Sequence, residues 1–353
     1  KGGASGSVIY YTSSNPEVAY VNADTLFVMS LGGTMITAQI DESNYFLATN
    51  MQKPVVIRTT AGTPEDPHLV SNLAELDAVR FDLAASYSLV ADIDLSSVEN
   101  WIPIGNSSNY FTGSFNGNNH TLSNLTINQP AGSYLGLFGW TEGDTIQNVI
   151  LENIQIAGNE YLGSIAGYVG EDGVIVNCHS YGIIQGTNAY AGGIAGYSYY
   201  AILQNCSSSS YLIDFYEYLG GVAGYADNST IEKCHYTGFI GNVHQYSGGI
   251  AGYADYSHIS ACFNSAEIRG NRNIGGIVGS DSYSVIMNNY NVADITATTN
   301  YLGGISGQTY DSEVKYNFNT GTLIGTTADY VGGIVGYTNV SRIKNNVSIA
   351  SKI

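Results

Sequence analysis

Apolar positions along the chain come in short runs broken by Gly, Asn, Ser and Tyr. Over the C-terminal two thirds these runs repeat with a fixed period. A Gly-Gly-Ile-Ala-Gly motif or close variant places its last glycine at Gly139, Gly167, Gly196, Gly224, Gly252, Gly279, Gly307 and Gly336, at intervals of 28, 29, 28, 28, 27, 28 and 29 residues. Other columns hold the same register. An apolar residue stands at Ile146, Ile175, Leu203, Ile231, Ile259, Ile286, Val314 and Ile343. Two positions later an Asn-rich column reads Asn148, Asn177, Asn205, Lys233, Ala261, Asn288, Tyr316 and Asn345. The next position holds Val149, Cys178, Cys206, Cys234, Cys262, Asn289, Asn317 and Asn346. A further apolar column follows at Leu212, Ile240, Ile268, Ile295 and Leu323.

Each repeat thus supplies about three short strand segments separated by turn residues. No segment has a helical period long enough for a helix-pair repeat. The expected architecture is all-β: a right-handed parallel β-helix in which one repeat of ~28 residues makes one coil. Each coil rises by about 4.8 Å, so like residues stack on like and a continuous core forms. The motif glycines then serve either left-handed corners or close approach between walls.

Before the regular repeats, Asn72 and Glu75 have capping-box-like spacing, and Leu69, Leu73, Leu76 and Val79 share a helical face. A short helix near 70–80 is expected to cap the open end of the solenoid. Asp92-Ile93-Asp94-Leu95 reads as the first strand, and the lead-in coils span 88–130, with regular repeats over 134–350. Residues 1–60 lack the repeat columns. Their alternating segments Val8–Tyr11, Val18–Val21, Thr25–Val28, Met35–Ala38 and Val55–Ile57 suggest a small β-sandwich, joined to 68–353 by a linker over 61–67.

Composition narrows the partners. Eleven Lys+Arg against 29 Asp+Glu leave a net charge of −18, which disfavours nucleic acid and anionic membranes. Only 11% of residues are charged, so the polar surface rests on Ser, Thr, Asn and the 29 Tyr. No apolar run is long enough for a transmembrane span, and Lys1-Gly2-Gly3 is no signal peptide. The expectation is an exported protein whose signal or anchor lies outside this chain.

Leu162-Gly163-Ser164-Ile165-Ala166-Gly167 and Gly192-Gly193-Ile194-Ala195-Gly196 resemble the GLUG repeat. That repeat occurs in adhesin-like bacterial surface proteins and in the non-catalytic region of IgA-cleaving metallopeptidases. The resemblance covers roughly 68–353 and bears on fold rather than function. Tyr11-Thr12-Ser13-Ser14-Asn15-Pro16-Glu17-Val18-Ala19 through Gly32-Gly33-Thr34-Met35-Ile36-Thr37-Ala38 is similar to bacterial Ig-like domains, here with the first strands short or missing. Such domains are spacers in surface proteins.

No chemistry-bearing motif stands out. The histidines His68, His120, His179, His235, His244 and His258 form no His-Glu-x-x-His, and neither a nucleophile elbow nor a phosphate loop occurs. Asp92 and Asp94 share a strand face but lack a recognisable cleft. Trp101 and Trp140 read as core or cap residues. Cys178, Cys206, Cys234 and Cys262 should stack in adjacent coils at a spacing a disulfide could span; in-register strands aim their side chains the same way, which favours free, buried thiols over pairing, and an amide ladder at Asn289, Asn317 and Asn346 continues the column. Asp227, Asp255, Asp281 and Asp311 would form an acidic line, leaving calcium as a possible cofactor where none is otherwise expected.

The candidate ligand-binding residues are tyrosines two positions before the first motif glycine: Tyr134, Tyr161, Tyr190, Tyr218, Tyr246, Tyr301 and Tyr330, with Asn273 the exception. A second set, Tyr168, Tyr197, Tyr225, Tyr253 and Tyr337, follows the motif. Stacked aromatics stabilise a solenoid wall; an exposed strip of them would bind sugar rings or a protein. The expected function is non-catalytic cell-surface adhesion or ligand binding by a monomer. The partner would be a host or environmental glycan or surface protein, with no membrane insertion. A polysaccharide lyase or hydrolase on a β-helix and a passive stalk are the alternatives.

Overall fold

The computed structural model describes residues 9–23, 25–30, 32–40, 49–57 and 61–350. Lys1-Gly2-Gly3, the start of the first strand at Val8, and the last residues to Ile353 lie outside them. The chain forms a parallel β-solenoid of about nine turns, with one short α-helix among the described residues.

Three stacked walls build it. One is an 11-stranded sheet running from His68–Val70 and Ser86–Leu89 through Val174–Val176 to Arg342–Lys344. A second, 8-stranded wall runs from Phe138–Thr141 through Ala195–Tyr199 to Val335–Asn339. The third carries longer, bent segments such as Ile150–Gly158 and Phe239–Gly248. Coils register residue on residue, as in Ile175↔Leu203, Tyr197↔Tyr225 and Ile240↔Ile268. The inward column Ile146, Ile175, Leu203, Ile231, Ile259, Ile286 and Val314 is fully buried, as are the motif residues Ile165, Ile194, Val222, Ile250, Ile277 and Ile305. A single coil cannot hide these side chains; the stack does.

The predicted helix forms as Leu73–Asp77 and continues as a 3-10 turn, Ala78–Phe81. The Asn72 side chain accepts from the Glu75 N–H, and the Glu75 carboxylate accepts from the Ser71 N–H. That reciprocal pair satisfies backbone donors with no intrahelical partner. Parallel pairing starts earlier than the sequence suggests. His68–Val70 pairs with Ser86–Leu89 ahead of Asp92, where the strand is only Ile93–Asp94. N-terminal to the solenoid, Ile9–Ser13, Gly32–Ile40 and Thr49–Ile57 form an antiparallel sheet, and Ala19–Asn22 pairs with Thr25–Val28.

The corners explain two sequence columns. Asn148, Asn177, Asn205, Lys233, Ala261, Asn288, Tyr316 and Asn345 all hold left-handed φ of 53° to 57°. Asn tolerates this region best among non-glycine residues, which is why it dominates. The motif glycines serve the other purpose, close approach. A Cβ on Gly196 would lie 2.5 Å from the Gly167 carbonyl oxygen and 2.5 Å from the Leu162 nitrogen.

Inside, the four cysteines are free and buried. Burial pushes the Cys178 and Cys234 thiols well above their ordinary value. Past Cys262 the column becomes an amide ladder, with Asn289 Nδ2 donating to Asn317 Oδ1 at 3.0 Å and Asn317 Nδ2 to Asn346 Oδ1 at 3.0 Å. A second buried ladder, Asn264 to Asn291 to Asn319, runs beside it at 2.8 Å per step.

Candidate functional site

Each coil turns from the long wall into the Gly-Gly motif through a left-handed corner, and a tyrosine occupies it in five successive coils. Tyr134, Tyr161, Tyr190, Tyr218 and Tyr246 have φ between 56° and 63°. Because the coils are in register, these rings stack face to face. Centroids are 4.6, 4.8, 5.0 and 5.0 Å apart, and planes lie within 10°. Asn273 then takes the corner (φ 56°) and interrupts the stack. Tyr301 and Tyr330 form a separate tilted pair at 5.3 Å and 51°. In the Tyr301 coil the left-handed residue is Asn300 instead of the tyrosine.

The second set forms a parallel column on the next wall. Trp140 heads it, stacked on Tyr168 at 3.9 Å, and Tyr168, Tyr197, Tyr225 and Tyr253 follow at 5.0 to 5.2 Å. Trp140 is therefore half-buried at the end of an aromatic column, unlike Trp101, which is buried and donates its indole N–H to the Leu137 carbonyl. The two columns meet edge to face, as in Tyr190–Tyr197 (5.5 Å, 69°) and Tyr218–Tyr225 (5.4 Å, 68°). The result is a double aromatic ribbon along one edge of the solenoid. Its rings are half-buried, with Tyr330 alone among the candidates exposed.

Burial dominates the electrostatics of the ribbon. It pushes the Tyr161 phenol up to about 12, helped by Tyr190, Tyr134 and Glu160, and Tyr168 to about 12. Tyr197 and Tyr225 are raised by burial and then by the carboxylates Asp227 and Asp255, respectively. Tyr197 donates to Asp227 Oδ2 at 3.0 Å. With both faces of the inner rings covered by neighbours, a flat sugar ring cannot stack on them. The ribbon offers ring edges and hydroxyls, repeating at the coil spacing.

The acidic line breaks into three. Asp227 and Asp255 pair in register, and burial followed by the neighbouring Asp227 raises Asp255. Asp281 pairs instead with the inward column, opposite Ala254 and Thr309, and is fully buried. Asp311 sits in a left-handed corner. The offset from the motif glycine separates them: Asp227 and Asp255 stand three residues after Gly224 and Gly252, Asp281 only two after Gly279 and Asp311 four after Gly307. Asp92 and Asp94 are exposed anchors. The Thr121 N–H, then His120, holds Asp92 below the usual carboxylate range; the Asn124 amide, then Ser96, does so for Asp94. Neither has the raised pKa of a general acid at neutral pH.

Two acids lie in the interior, Asp144, which the sequence columns did not single out, and Asp281, which they placed on the acidic line. Asp144 is buried at the corner leading into the first wall, neither carboxylate oxygen has a partner in normal hydrogen-bond geometry among the described residues, and burial, only partly offset by the nearby Thr141 hydroxyl, pushes it up to about 7. In later coils its column is a serine ladder, in which each hydroxyl accepts from the preceding coil, as Ser257 Oγ does from the Ser229 N–H at 3.0 Å. Asp281 is raised to about 6 by burial and accepts from Ser306 Oγ at 2.5 Å. That Ser column was the available signal for Asp144.

This geometry defines a β-solenoid with a repetitive outer surface. Among solved structures, an IgA1 protease shares the fold, with a TM-score of 0.54 at 16% identity over 79% of this chain and 24% of that one. Among curated proteins, halomucin of Haloquadratum walsbyi is 36% identical over 38% of this chain and 2% of its own length. A putative Gly-rich membrane protein of Evansella cellulosilytica is 33% identical over 37% of this chain and 15% of its own. The chain thus spans a small fraction of the curated relatives it matches. No family model matches it. Among the described residues, no helix is long and apolar enough to cross a membrane.

Proposed function

We infer that this chain is part of an extracellular, cell-surface protein in which a solenoid of GLUG-type repeats, carried on an Ig-like spacer, mediates adhesion without catalysis. The observation that carries the reading is the tyrosine ribbon. It places half-buried tyrosines at a regular spacing along one edge, so an extended polymer or a protein strand lying along the axis would meet the same contact coil after coil. Distributed weak contacts of this kind add through effective concentration. The names of the relatives, a mucin-like protein and a membrane protein, support a surface setting. The uniform coils and the low carboxylate pKa values of Asp92 and Asp94 favour binding over a lyase or hydrolase. The reading requires no cofactor and a monomer suffices.

One observation favours a passive stalk instead: the ribbon's ring faces are spent on each other. Binding of the intact chain to a glycan panel and to host-surface proteins separates the two. Calcium is included because Asp227 and Asp255 stack. Adhesion should fall sharply in Tyr190→Asn and Tyr218→Asn, whose backbone the left-handed corner accommodates. Adhesion unchanged in both, or none at all in the parent chain, leaves the stalk.

A further inference from the structure

The regular coils repeat one set of columns, but the coil before them does not. Between the capping helix and the first repeat, the chain departs from the column pattern at Ile102–Thr112 and encloses an open cleft of about 780 Å³. That volume lies within the range of small-ligand sites. Its walls come from the 3-10 turn and the segment after it (Arg80, Asp82), from Ile102 and Pro103, and from the loop Asn106–Tyr110.

These walls are held in place. The loop closes on itself through Asn106 N–H to the Asn109 carbonyl (2.8 Å) and Asn109 N–H to the Asn106 carbonyl (3.2 Å). Asn106 Oδ1 also accepts from the Ser108 N–H at 2.9 Å. Gly105, at φ +75°, lets the loop leave the wall where a Cβ would strike the Trp140 carbonyl oxygen at 2.7 Å. On the opposite side Arg80 donates to Asp77 Oδ1 (2.6 and 2.9 Å) and to the Ile102 carbonyl (3.0 Å), with its guanidinium 5.0 Å over Trp101. A cleft set by such bonds loses little entropy when it takes a ligand.

We propose that this cleft binds a short, uncharged saccharide. The groups facing it are a carboxylate (Asp82), amides (Asn106, Asn109), a phenol (Tyr110) and an exposed isoleucine (Ile102). Planar amides and carboxylates pair with neighbouring sugar hydroxyls, while Tyr110 and Ile102 supply an apolar patch for the C–H face of a ring. The side chains of Asp82, Asn109 and Tyr110 make no hydrogen bond among the described residues, so their polar atoms are available. Charge sets the choice of an uncharged ligand. Arg80 is already neutralised by Asp77, Asp82 is negative, and the chain carries −18 overall, which repels acidic sugars and nucleotides. The cleft borders the Trp140 end of the ribbon but shares no lining residue with the tyrosines, so it stands or falls independently of the adhesion reading.

Saturation-transfer NMR on the intact chain tests it, with neutral mono- to trisaccharides as ligands and uronic and sialic acids as contrast. A neutral saccharide should saturate, the acids should not, and Tyr110→Ala and Asn109→Ala should each weaken binding about tenfold. Asp82→Asn, on the facing wall, should weaken it too. All three side chains are exposed, so thermal unfolding should not move. Tyr190→Asn should leave this binding intact whatever it does to adhesion. No saturation by any neutral saccharide, or binding that survives all three replacements, overturns the proposal.

Discussion

Tyr161 and Tyr190 lie face to face across successive coils, 4.8 Å apart and 10° from parallel, and each holds a left-handed backbone (φ 57° and 63°). For a bulky residue that backbone costs roughly 1–2 kcal/mol. A stacked aromatic pair returns about 0.5–1.5 kcal/mol beyond area burial, and each inner ring has two stacked neighbours plus an edge contact. The ladder therefore offsets the strain of its own corner. It does so only while the neighbours are present, which makes the ribbon cooperative along the axis.

Replacing one inner ring tests this balance. Tyr218→Ala removes two stacks, at 5.0 Å each, and leaves a left-handed alanine. The expected loss is about 3 kcal/mol. Tyr218→Asn also removes the stacks but relieves the corner, as Asn273 does naturally, and should cost about half as much. Denaturant unfolding of the two variants gives the comparison; equal losses would mean that corner strain is not part of the balance.

Glycines in the chain do two different jobs, and alanine separates them. In Gly196→Ala the new Cβ meets backbone atoms of the neighbouring coil at 2.5 Å, which cannot move without opening the stack. A loss of roughly 3 kcal/mol or more is expected. Gly143 has φ +61° but nothing within 4 Å of a Cβ, so Gly143→Ala should cost only about 1 kcal/mol. Thermal melts of both variants check the order.

The thiol column should be inert in the folded chain. Cys178, Cys206, Cys234 and Cys262 are buried, and Cys206 Sγ lies 3.5 Å from the Ile175 carbonyl oxygen. An aromatic disulfide reagent should label none of them until denaturant is added. Position decides whether an amide can replace a thiol. Cys262→Asn extends the existing ladder, since Asn289 Oδ1 already accepts from the Cys262 N–H at 2.9 Å, and should be tolerated. Cys206→Asn places an amide between two thiols and should cost about 2 kcal/mol.

What the repeat columns made legible is whatever depends on registration alone. Ile175 over Leu203, four cysteines in one line and the amide ladder beyond Cys262 all follow from a constant period; that the thiols are free does not. Features that depend on a one-residue offset inside a coil were not legible. Asp281 stands one place nearer its motif glycine than Asp255 does, which puts it in the interior column of Ala254, and in the Tyr301 coil the left-handed corner falls to Asn300. The cleft at Asn106–Tyr110 lies in a coil with no column to compare. Trp140 heads the second aromatic column one coil before its first tyrosine, a place the tyrosine spacing alone does not mark.

Acid should stabilise this protein, against the usual trend. Asp144 and Asp281 have ordinary carboxyl values near 3.8 when exposed but about 7 and about 6 in the fold, chiefly through burial. A raised folded-state value means that the native chain holds protons the unfolded chain has released. The associated stability is complete below pH 3.8 and is lost as pH rises through 6 and 7. For Asp144, with neither oxygen in normal hydrogen-bond geometry, the loss between pH 4 and pH 8 is on the order of 3 kcal/mol. Asp144→Asn removes the titration, so it should raise stability at pH 8 and change little at pH 4. Urea unfolding of parent and variant at the two pH values reads this directly. A parent chain more stable at pH 8 than at pH 4, with Asp144→Asn unchanged at both, would show that the carboxyl is ionised and solvated in the fold.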